Sequence, residues 1–510
     1  MGKVSFIGAG PGDPRLLTLR GAELLGQADV VIYDADVDED ALELARDGAE
    51  RVRIARDATP EGNVPDLVAR ARAGANVARL FYGDPFAFRG GAIELAGVRQ
   101  AHVDVEVAAG VIAPTAAAAY SGLALSRYED VTPSVALAVV NDAEELHDWR
   151  KLSLATDTLA LLTDIEQVLE ITHTLTYYGR KPETPAALVR NVSLPSQRVA
   201  LDTLVGIRKH IAEFAAADQK GMVLLVVGES IAGRESLRWF DTRPLFGKRV
   251  LVTRTESQAR KMGAMLRERG AEPVFVPTIE IHPPADPAPV TRAARELDAY
   301  AWVVFTSENG VNAFFGMLAA QKLDARAFGR SRIGVIGPGT AAALQSRGLE
   351  PDVVAKEFRG EGLAKALLDA MGAEARGKRV LVARAKEARE ALPEALREAG
   401  CEVDVVAAYE THPAPRPVTE RLRGMLESRS LDALTFTSAS TVHAFCDAVG
   451  ADAAALVAKS GVLVGSIGPI TTEAAAAHQI TVHATAATYT IEGLMTALES
   501  EFTRAVKSPA

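Results

Sequence analysis

Cysteine is nearly absent from this chain, which contains only Cys401 and Cys446 in 510 residues. Two cysteines cannot form a disulfide framework, and no CxxC pair or Cys/His cluster offers the spacing of a zinc site. We therefore predict no metal site. The nine histidines are scattered along the chain. Scarce cysteine and no sign of disulfides are typical of a reducing compartment, so we expect a cytoplasmic location.

The sequence also lacks long apolar runs and any excess of positive charge. No uninterrupted apolar stretch approaches the roughly 18 residues of a membrane-spanning helix, and the N-terminal MGKVSFIGAG opens a strand pattern, not a signal peptide. Lys and Arg number 56 against 66 Asp and Glu, which gives a net charge of −10. This balance argues against nucleic acid and membrane partners and leaves a small molecule as the expected ligand.

Short apolar runs instead alternate with longer Ala/Leu-rich helical stretches. Each run is bounded by Gly, Pro, Ser or Asp, and most lead into a helical pattern. This rhythm predicts α/β domains with mostly parallel sheets. The predicted strands include 4–7, 30–33, 223–227, 250–253, 303–306, 334–336 and 380–383.

The second half of the chain contains an internal repeat. GKRVLVTR at 247 returns as GKRVLVAR at 377, and EIHP at 280 returns as ETHP at 410. FTS at 305 and GPGT at 337 return as FTS at 436 and GPIT at 468, with the same spacing between the two motifs. An offset of 130 residues for the first two motifs and 131 for the other two predicts two similar α/β units, and a cleft between such units favours ligand binding.

Each copy of the repeat places hydroxyl groups where a strand ends and a helix begins. The FTS segments precede helical patterns, and each GPxT segment puts a Thr at an expected helix N-cap. Open α/β sheets bind ligands at the carboxyl ends of their strands, and helix N-termini favour anions. Two interpretations remain open: helix caps alone, or a shared polyanion site lined by neutral donors.

FTSENGVNAF, VIGPGTAAAL, DALTFTSAST and SIGPITTEAA, after GKRVLVTR, together resemble uroporphyrinogen-III synthase over residues 247–505. The resemblance implies cyclisation of hydroxymethylbilane to uroporphyrinogen III, with inversion of ring D and loss of water, without metal or cofactor. It also implies two lobes, 247–283 plus 413–505 and 284–412. The family's ligand-contacting hydroxyl residues correspond here to Thr306, Ser307, Thr340, Ser438 and Thr471.

The acid proposed for that family corresponds here to Tyr409, in AAYETHP. A phenol in this position donates a proton to the departing hydroxyl. The alternative is a tyrosine that only packs at the interface and bonds to backbone.

The first half resembles the tetrapyrrole methyltransferases that use S-adenosylmethionine. The resemblance rests on GAGPGDP followed by LLTLRGAELL and YD, on GDPF at 83, and on LLVVGESI. It implies two α/β domains with the cofactor between them, a tetrapyrrole substrate, and a homodimer through this half. The residues carried over are Asp34 as the catalytic carboxylate and Gly10, Pro11, Gly83 and Asp84 as cofactor-binding residues.

This half departs from the family pattern at its cofactor loop. Tyr82 replaces a Gly that lets the backbone approach the cofactor, Ile112 replaces a hydroxyl residue, and Arg56 stands in for a Lys. We therefore expect weak or absent S-adenosylmethionine binding and a degenerate methyltransferase. Two alternatives stay open: a bifunctional enzyme making precorrin-2 for sirohaem or cobalamin, and a non-catalytic dimerisation or docking module.

The predicted fold is α/β throughout, with a two-domain module like the tetrapyrrole methylases followed by two similar flavodoxin-like domains. The predicted boundaries are 1–114 and 115–235 for the methyltransferase-like domains, 236–246 for a linker, and 247–505 for the synthase.

Overall fold

The chain forms two compact units in a computed structural model. The first unit comprises Met1–Val250, Gly263–Pro273 and Glu499–Ala510, and the second comprises Leu251–Met262 and Val274–Leu498. The structure describes residues 2–87, 90–127, 133–140, 148–215, 222–253, 256–357 and 359–507.

The first sheet has five strands, which follow one another in parallel in the order β3-β2-β4-β1-β5. Its strands are β1 (Lys3–Gly8), β2 (Val30–Tyr33), β3 (Glu50–Arg53), β4 (Val77–Phe81) and β5 (Asp104–Ala108). The helices of this region are α1 (Leu19–Leu25), α2 (Pro60–Arg72) and α3 (Gly91–Gln100). Strands β2 and β4 are buried along their whole length, as expected for a parallel sheet covered on both faces.

The second sheet is mixed, which corrects the prediction of mostly parallel sheets for this domain. Its order is β6-β7-β10-β8-β9, and only β6 and β7 pair in parallel. Because β8 and β9 are joined by the short segment 191–197, they form an antiparallel pair without a crossover helix. The strands are β6 (Val135–Val140), β7 (Thr158–Thr163), β8 (Pro185–Arg190), β9 (Arg198–Thr203) and β10 (Val223–Val227). The helices are α4 (Ala113–Ser121), α5 (Trp149–Ala155), α6 (Val168–Tyr177), α7 (Ile211–Ala215) and α8 (Arg234–Leu237).

Two further sheets follow in the second half of the chain. Their strands are β11 (Arg249–Val252), β12 (Glu272–Phe275), β13 (Ile279–His282), β14 (Trp302–Phe305), β15 (Arg332–Val335), β16 (Val353–Val354), β17 (Arg379–Ala385), β18 (Glu402–Pro413), β19 (Ala433–Phe436), β20 (Leu463–Ser466) and β21 (Ala484–Thr485). The helices are α9 (Glu256–Glu268), α10 (Ala288–Arg295), α11 (Glu308–Ala320), α12 (Pro338–Gln345), α13 (Gly360–Met371), α14 (Ala391–Glu398), α15 (Arg416–Glu427), α16 (Ala439–Val449), α17 (Ala453–Ser460), α18 (Pro469–Ala477) and α19 (Ile491–Lys507).

The third sheet has the order β12-β11-β19-β20-β21, and the fourth has the order β13-β18-β17-β14-β15-β16. Within the fourth sheet only the pair of β13 and β18 is antiparallel, with Glu280 opposite His412. The repeated EIHP and ETHP motifs are thus the two facing strands of one ribbon. The predicted strands 30–33 and 223–227 coincide with β2 and β10, and the predicted α/β class is confirmed.

Side chains that alternate along the central strands build separate cores on the two faces of a sheet. Along β14, Val303 and Phe305 pack into one cluster, whereas Trp302 and Val304 pack into another. No single helix in the described part of the chain has the length and apolar character of a membrane span. The helices α16 and α17 meet both criteria only as a pair, bent by 94° at the break between them.

Candidate active site

A cavity of about 1010 Å³ lies within the second unit, at the carboxyl ends of several strands. Its walls include the ends of β14 and β19, the first GPxT turn, one face of α16 and the end of β18. The two copies of the repeat therefore contribute their FTS segments to one cavity. This is the edge at which an open α/β sheet places its ligand.

Ser307 and Ser438 cap the helices that follow the two FTS segments. Ser307 Oγ accepts a hydrogen bond from the Gly310 amide at 3.0 Å, and Ser438 forms a capping box with Thr441. Both serines are half-buried and line the cavity. The capping interpretation therefore holds for both serines, and it leaves their hydroxyls facing the cavity.

Tyr409 meets Ser307 inside the cavity. The phenol oxygen lies 3.1 Å from Ser307 Oγ, and the tyrosine is 7% exposed. Burial raises the pKa of the Tyr409 phenol, and the hydrogen bond with Ser307 opposes this effect in part. The phenol is therefore a protonated donor at neutral pH, held in one orientation by a side-chain partner rather than by backbone.

A β-bulge sets the direction of the Tyr409 side chain. Arg384 pairs with Ala407, but the next residue of β17, Ala385, pairs with Tyr409, so Ala408 is the extra residue. In a regular strand Ala408 and Tyr409 would face opposite sides of the sheet. Here both pack into the same core cluster, because the bulge turns the tyrosine toward α11.

The GPxT turns differ from the sequence prediction in their capping. We predicted Thr at the N-cap, but Gly337 and Gly468 occupy the N-cap positions, and Pro begins each helix. The prediction was wrong because proline, with its fixed φ and missing N–H, suits the first helical position. Thr340 is therefore inside α12, where it is buried and lines the cavity.

The other two predicted hydroxyl residues are not among the described residues that line this cavity. Thr306 is half-buried next to Ser307, and Thr471 is buried in the first turn of α18. Of the predicted set, the structure thus brings together Ser307, Thr340, Ser438 and Tyr409.

The cavity wall carries charges that the sequence interpretation of neutral donors missed. Acidic Glu308, Glu387, Glu410 and Asp447 line it together with Lys386. The imidazoles of two histidines face it as well, at positions 412 and 443. Two of these charges had a sequence signal, because Lys386 lies three residues after the predicted strand 380–383 and Glu410 directly follows Tyr409.

Glu410 is held at the cavity rim by three partners. Its carboxylate accepts a hydrogen bond from the Ala285 amide at 2.9 Å, pairs with Lys386 Nζ at 3.0 Å, and lies 3.6 Å from His412 Nε2. The amide and the ammonium hold the pKa of the Glu410 carboxyl below its usual range. A negative charge therefore sits at the cavity rim at neutral pH, one residue along β18 from Tyr409.

In the first unit, most of the residues predicted to bind the cofactor are held by hydrogen bonds to backbone groups. Gly10 and Gly83, both at positive φ, form an antiparallel bridge through amide-to-carbonyl bonds of 3.2 and 3.0 Å. Asp84 accepts hydrogen bonds from the amides of Phe86 and Gly110, each at 2.8 Å. Pro11 is buried in the same loop. These contacts fix the loop.

Asp34 belongs to a buried ion cluster that sequence analysis did not predict. Arg79 donates to Asp34 Oδ1 at 2.6 Å and to Glu94 Oε2 at 2.9 Å, and the Tyr82 amide donates to Asp34 Oδ2 at 3.1 Å. The side chains of Arg79 and Glu94 are 4% and 1% exposed. The sequence signal for this cluster was an arginine inside the apolar strand VARLF, because a buried charge requires partners.

Tyr82 packs between the two domains of the first unit. Its half-buried ring contacts a core cluster of the first sheet and also a cluster formed by α4 and the second sheet. Arg56, the residue predicted to replace a lysine, pairs with Asp36 at 2.5 Å. Ile112 takes the N-cap of α4 and offers no side-chain acceptor there.

Family comparisons cover both halves of the chain. Residues 260–496 match the model of uroporphyrinogen-III synthase HemD, and residues 3–207 match that of the tetrapyrrole (corrin/porphyrin) methylases. The porphyrin biosynthesis protein HemD of Ruminiclostridium josui is 31% identical over 456 residues, which is 87% of this chain and 88% of that protein. The chain belongs to the HemD porphyrin biosynthesis family. The predicted order, a methylase half followed by a uroporphyrinogen-III synthase half, is confirmed.

Two further relatives each match about half of this HemD-family chain. The siroheme synthase of Tolumonas auensis is 36% identical over 258 residues, covering 49% of the chain and 54% of that relative. The chain thus spans about half the length of that siroheme synthase. A structure of uroporphyrin-III C-methyltransferase from Thermus thermophilus, complexed with S-adenyl homocysteine, is 32% identical. The match covers 45% of this chain and 99% of the methyltransferase chain, with a TM-score of 0.39.

Proposed function

We propose that residues 247–505 cyclise hydroxymethylbilane to uroporphyrinogen III, inverting ring D and releasing water. The observation that carries this proposal is the buried Tyr409 phenol, which bonds to Ser307 inside a cavity lined by both copies of the repeat. The match of residues 260–496 to the synthase family supports the same reaction.

The proposed chemistry begins with the hydroxymethyl group of the substrate. Tyr409 donates its proton as the C–O bond breaks, so the hydroxyl leaves as water and a cationic methylene-pyrrole remains. The substituted carbon of ring D attacks that methylene, and rearrangement places the ring in its inverted orientation. The proton finally lost from a pyrrole carbon returns to the phenolate. Ser307 keeps the phenol aimed at the cavity throughout, through the 3.1 Å contact.

Orientation is the main contribution of the cavity to this reaction. The amino ends of α11, α12 and α16 all reach its wall. Helix amino ends favour anions, so they offer binding positions for carboxylates, and this holds a flexible linear substrate in a ring-closing conformation.

The test is an isomer analysis with the full-length protein. Hydroxymethylbilane is incubated with the protein, the products are oxidised to porphyrins, and the I and III isomers are separated by chromatography. We expect the III isomer, whereas a no-enzyme control gives the I isomer. Isomer I alone, from protein whose circular dichroism shows an intact fold, contradicts the proposal.

For the first half, we propose a methylase fold that no longer transfers methyl groups from S-adenosylmethionine. The support is the Tyr82 ring, which fills the junction between the two domains just after the carboxyl end of β4. An open α/β sheet needs this edge free for a ligand. The residues present therefore do not fit S-adenosylmethionine. The methylase-family match favours one second candidate, a bifunctional enzyme that methylates its own product.

Calorimetry with S-adenosylmethionine separates these two candidates. We expect no binding heat for the wild type and measurable binding for Tyr82→Gly, because the substitution removes the ring from the junction. Micromolar binding by the wild type, with multiple turnovers of methylated uroporphyrinogen III, establishes the bifunctional enzyme instead.

A further inference from the structure

We propose that Lys386 binds a carboxylate of the tetrapyrrole substrate and thereby sets the affinity of the synthase cavity for its polyanionic substrate. This inference rests on the function proposed above. Lys386 directly follows β17, and its amide donates to the Tyr409 carbonyl at 3.0 Å. The lysine is thus tied by backbone to the residue that carries the proposed acid.

The charge distribution around the cavity singles out this lysine. Among the described residues that line the cavity, Lys386 is the only Lys or Arg, and four carboxylates line the same cavity. A substrate bearing eight carboxylates is repelled by such a wall unless a cation offsets the repulsion locally. An ammonium at the cavity wall offsets part of this repulsion, and dissolved salt screens the interaction.

Glu410 pairs with the Lys386 ammonium but does not use all of the N–H donors of that ammonium. The pair is 3.0 Å long, and Lys386 remains 56% exposed while the Glu410 side chain is 14% exposed. An ammonium has three donors, so two are left for water or for a ligand carboxylate. Glu410 is in turn anchored by the Ala285 amide, and this holds the ammonium at the cavity rim.

The geometry therefore points to a carboxylate subsite just past the end of β17, the strand that pairs with the Tyr409 segment of β18. A side chain of the substrate that carries an acetate or propionate group bridges to Lys386 while its pyrrole faces the Tyr409 phenol. Lys386 acts on binding and placement, and the proton transfer stays with Tyr409.

The experiment compares Lys386→Met, Lys386→Arg and Lys459→Met in the full-length protein. Lys459 is an exposed lysine of α17 outside the cavity, and its substitution removes the same charge from the same unit. We expect Lys386→Met to raise KM about tenfold, with kcat within twofold and isomer III still formed. Lys386→Arg keeps most of the affinity, and Lys459→Met matches the wild type.

Ionic strength supplies the second readout. Added salt raises KM of the wild type because it screens the attraction between the ammonium and the carboxylate. We expect this dependence to become shallower in Lys386→Met, an effect that a merely structural role does not produce. An unchanged KM and salt dependence in Lys386→Met overturns the carboxylate subsite. If the wild type itself forms no isomer III, the proposed function fails instead.

Discussion

Among the described residues, the Tyr409 phenol has one side-chain hydrogen-bond partner, Ser307. Removing the hydroxyl therefore tests its chemical role while the ring still packs. We predict that Tyr409→Phe lowers kcat by about 10²-fold with little change in KM, since the substitution removes only the proton donor. Tyr300→Phe is the matched control, because Tyr300 is also buried in the same sheet region and its hydroxyl donates to Asp404 at 2.8 Å. Steady-state assays of isomer III measure both variants. Equal rates for the two variants contradict the assignment of the acid to Tyr409.

The same phenol predicts the alkaline side of the pH profile. Its active form is the protonated one, and burial raises its pKa above the usual value, so the protonated form persists through neutral and mildly alkaline pH. We expect kcat to stay level as the pH rises and to fall only above about pH 10. In Tyr409→Phe we expect the residual kcat to show no such fall at alkaline pH. A wild-type rate that declines already between about pH 7 and 9 argues against this donor.

At the scale of elements, α11 and α16, which follow the two FTS segments, have equivalent N-caps but different neighbours. We predict that Ser307→Ala and Ser438→Ala each cost about 1 kcal/mol of stability, because each loses an N-cap hydrogen bond. Only Ser307 also bonds to the phenol. Ser307→Ala should therefore lower kcat, and Ser438→Ala should mainly raise KM.

Denaturant midpoints and steady-state kinetics on the two serine variants check this prediction. Ser428→Ala is the control, since its hydroxyl bonds to the Met425 carbonyl on an exposed helix end away from the cavity. If both cap variants change the same kinetic constant, the proposed division of roles between the two serines is wrong.

At the scale of the whole molecule, local pattern and repetition made most of the fold predictable. Fully apolar runs such as Val30–Tyr33 became buried parallel strands, and the two FTS motifs with the first GPxT motif located the cavity. Both signals lie in short stretches of sequence, so they can be detected without knowledge of tertiary contacts.

Several of the parts that sequence analysis missed depend on long-range pairing. The bulge at Ala408 exists only in the pairing of β17 with β18, and the ion cluster of Asp34, Arg79 and Glu94 joins three separate elements. The mixed second sheet likewise follows from how β8 and β9 pair. Such contacts leave at most a weak local trace, such as a single arginine in an apolar strand.

That arginine allows a test of how far the two units depend on each other. Arg79→Met removes one partner from a buried ion cluster and leaves two carboxylates uncompensated, for which we expect a loss of about 3–5 kcal/mol. All the described residues that line the synthase cavity belong to the second unit. We therefore predict faster hydrogen exchange in the first unit of Arg79→Met, with unchanged kinetics of isomer III formation.

The matched control for this prediction is Arg20→Met. Arg20 also bridges two acidic residues of the first unit, Glu23 and Glu106, but its side chain is 51% exposed. Solvent screens an exposed pair, so hydrogen exchange and the melting temperature should hardly change. A similar loss in both variants means that the cluster around Arg79 contributes no more than a surface pair. A fall in synthase rate that accompanies Arg79→Met alone means that the synthase cavity depends on the fold of the first unit.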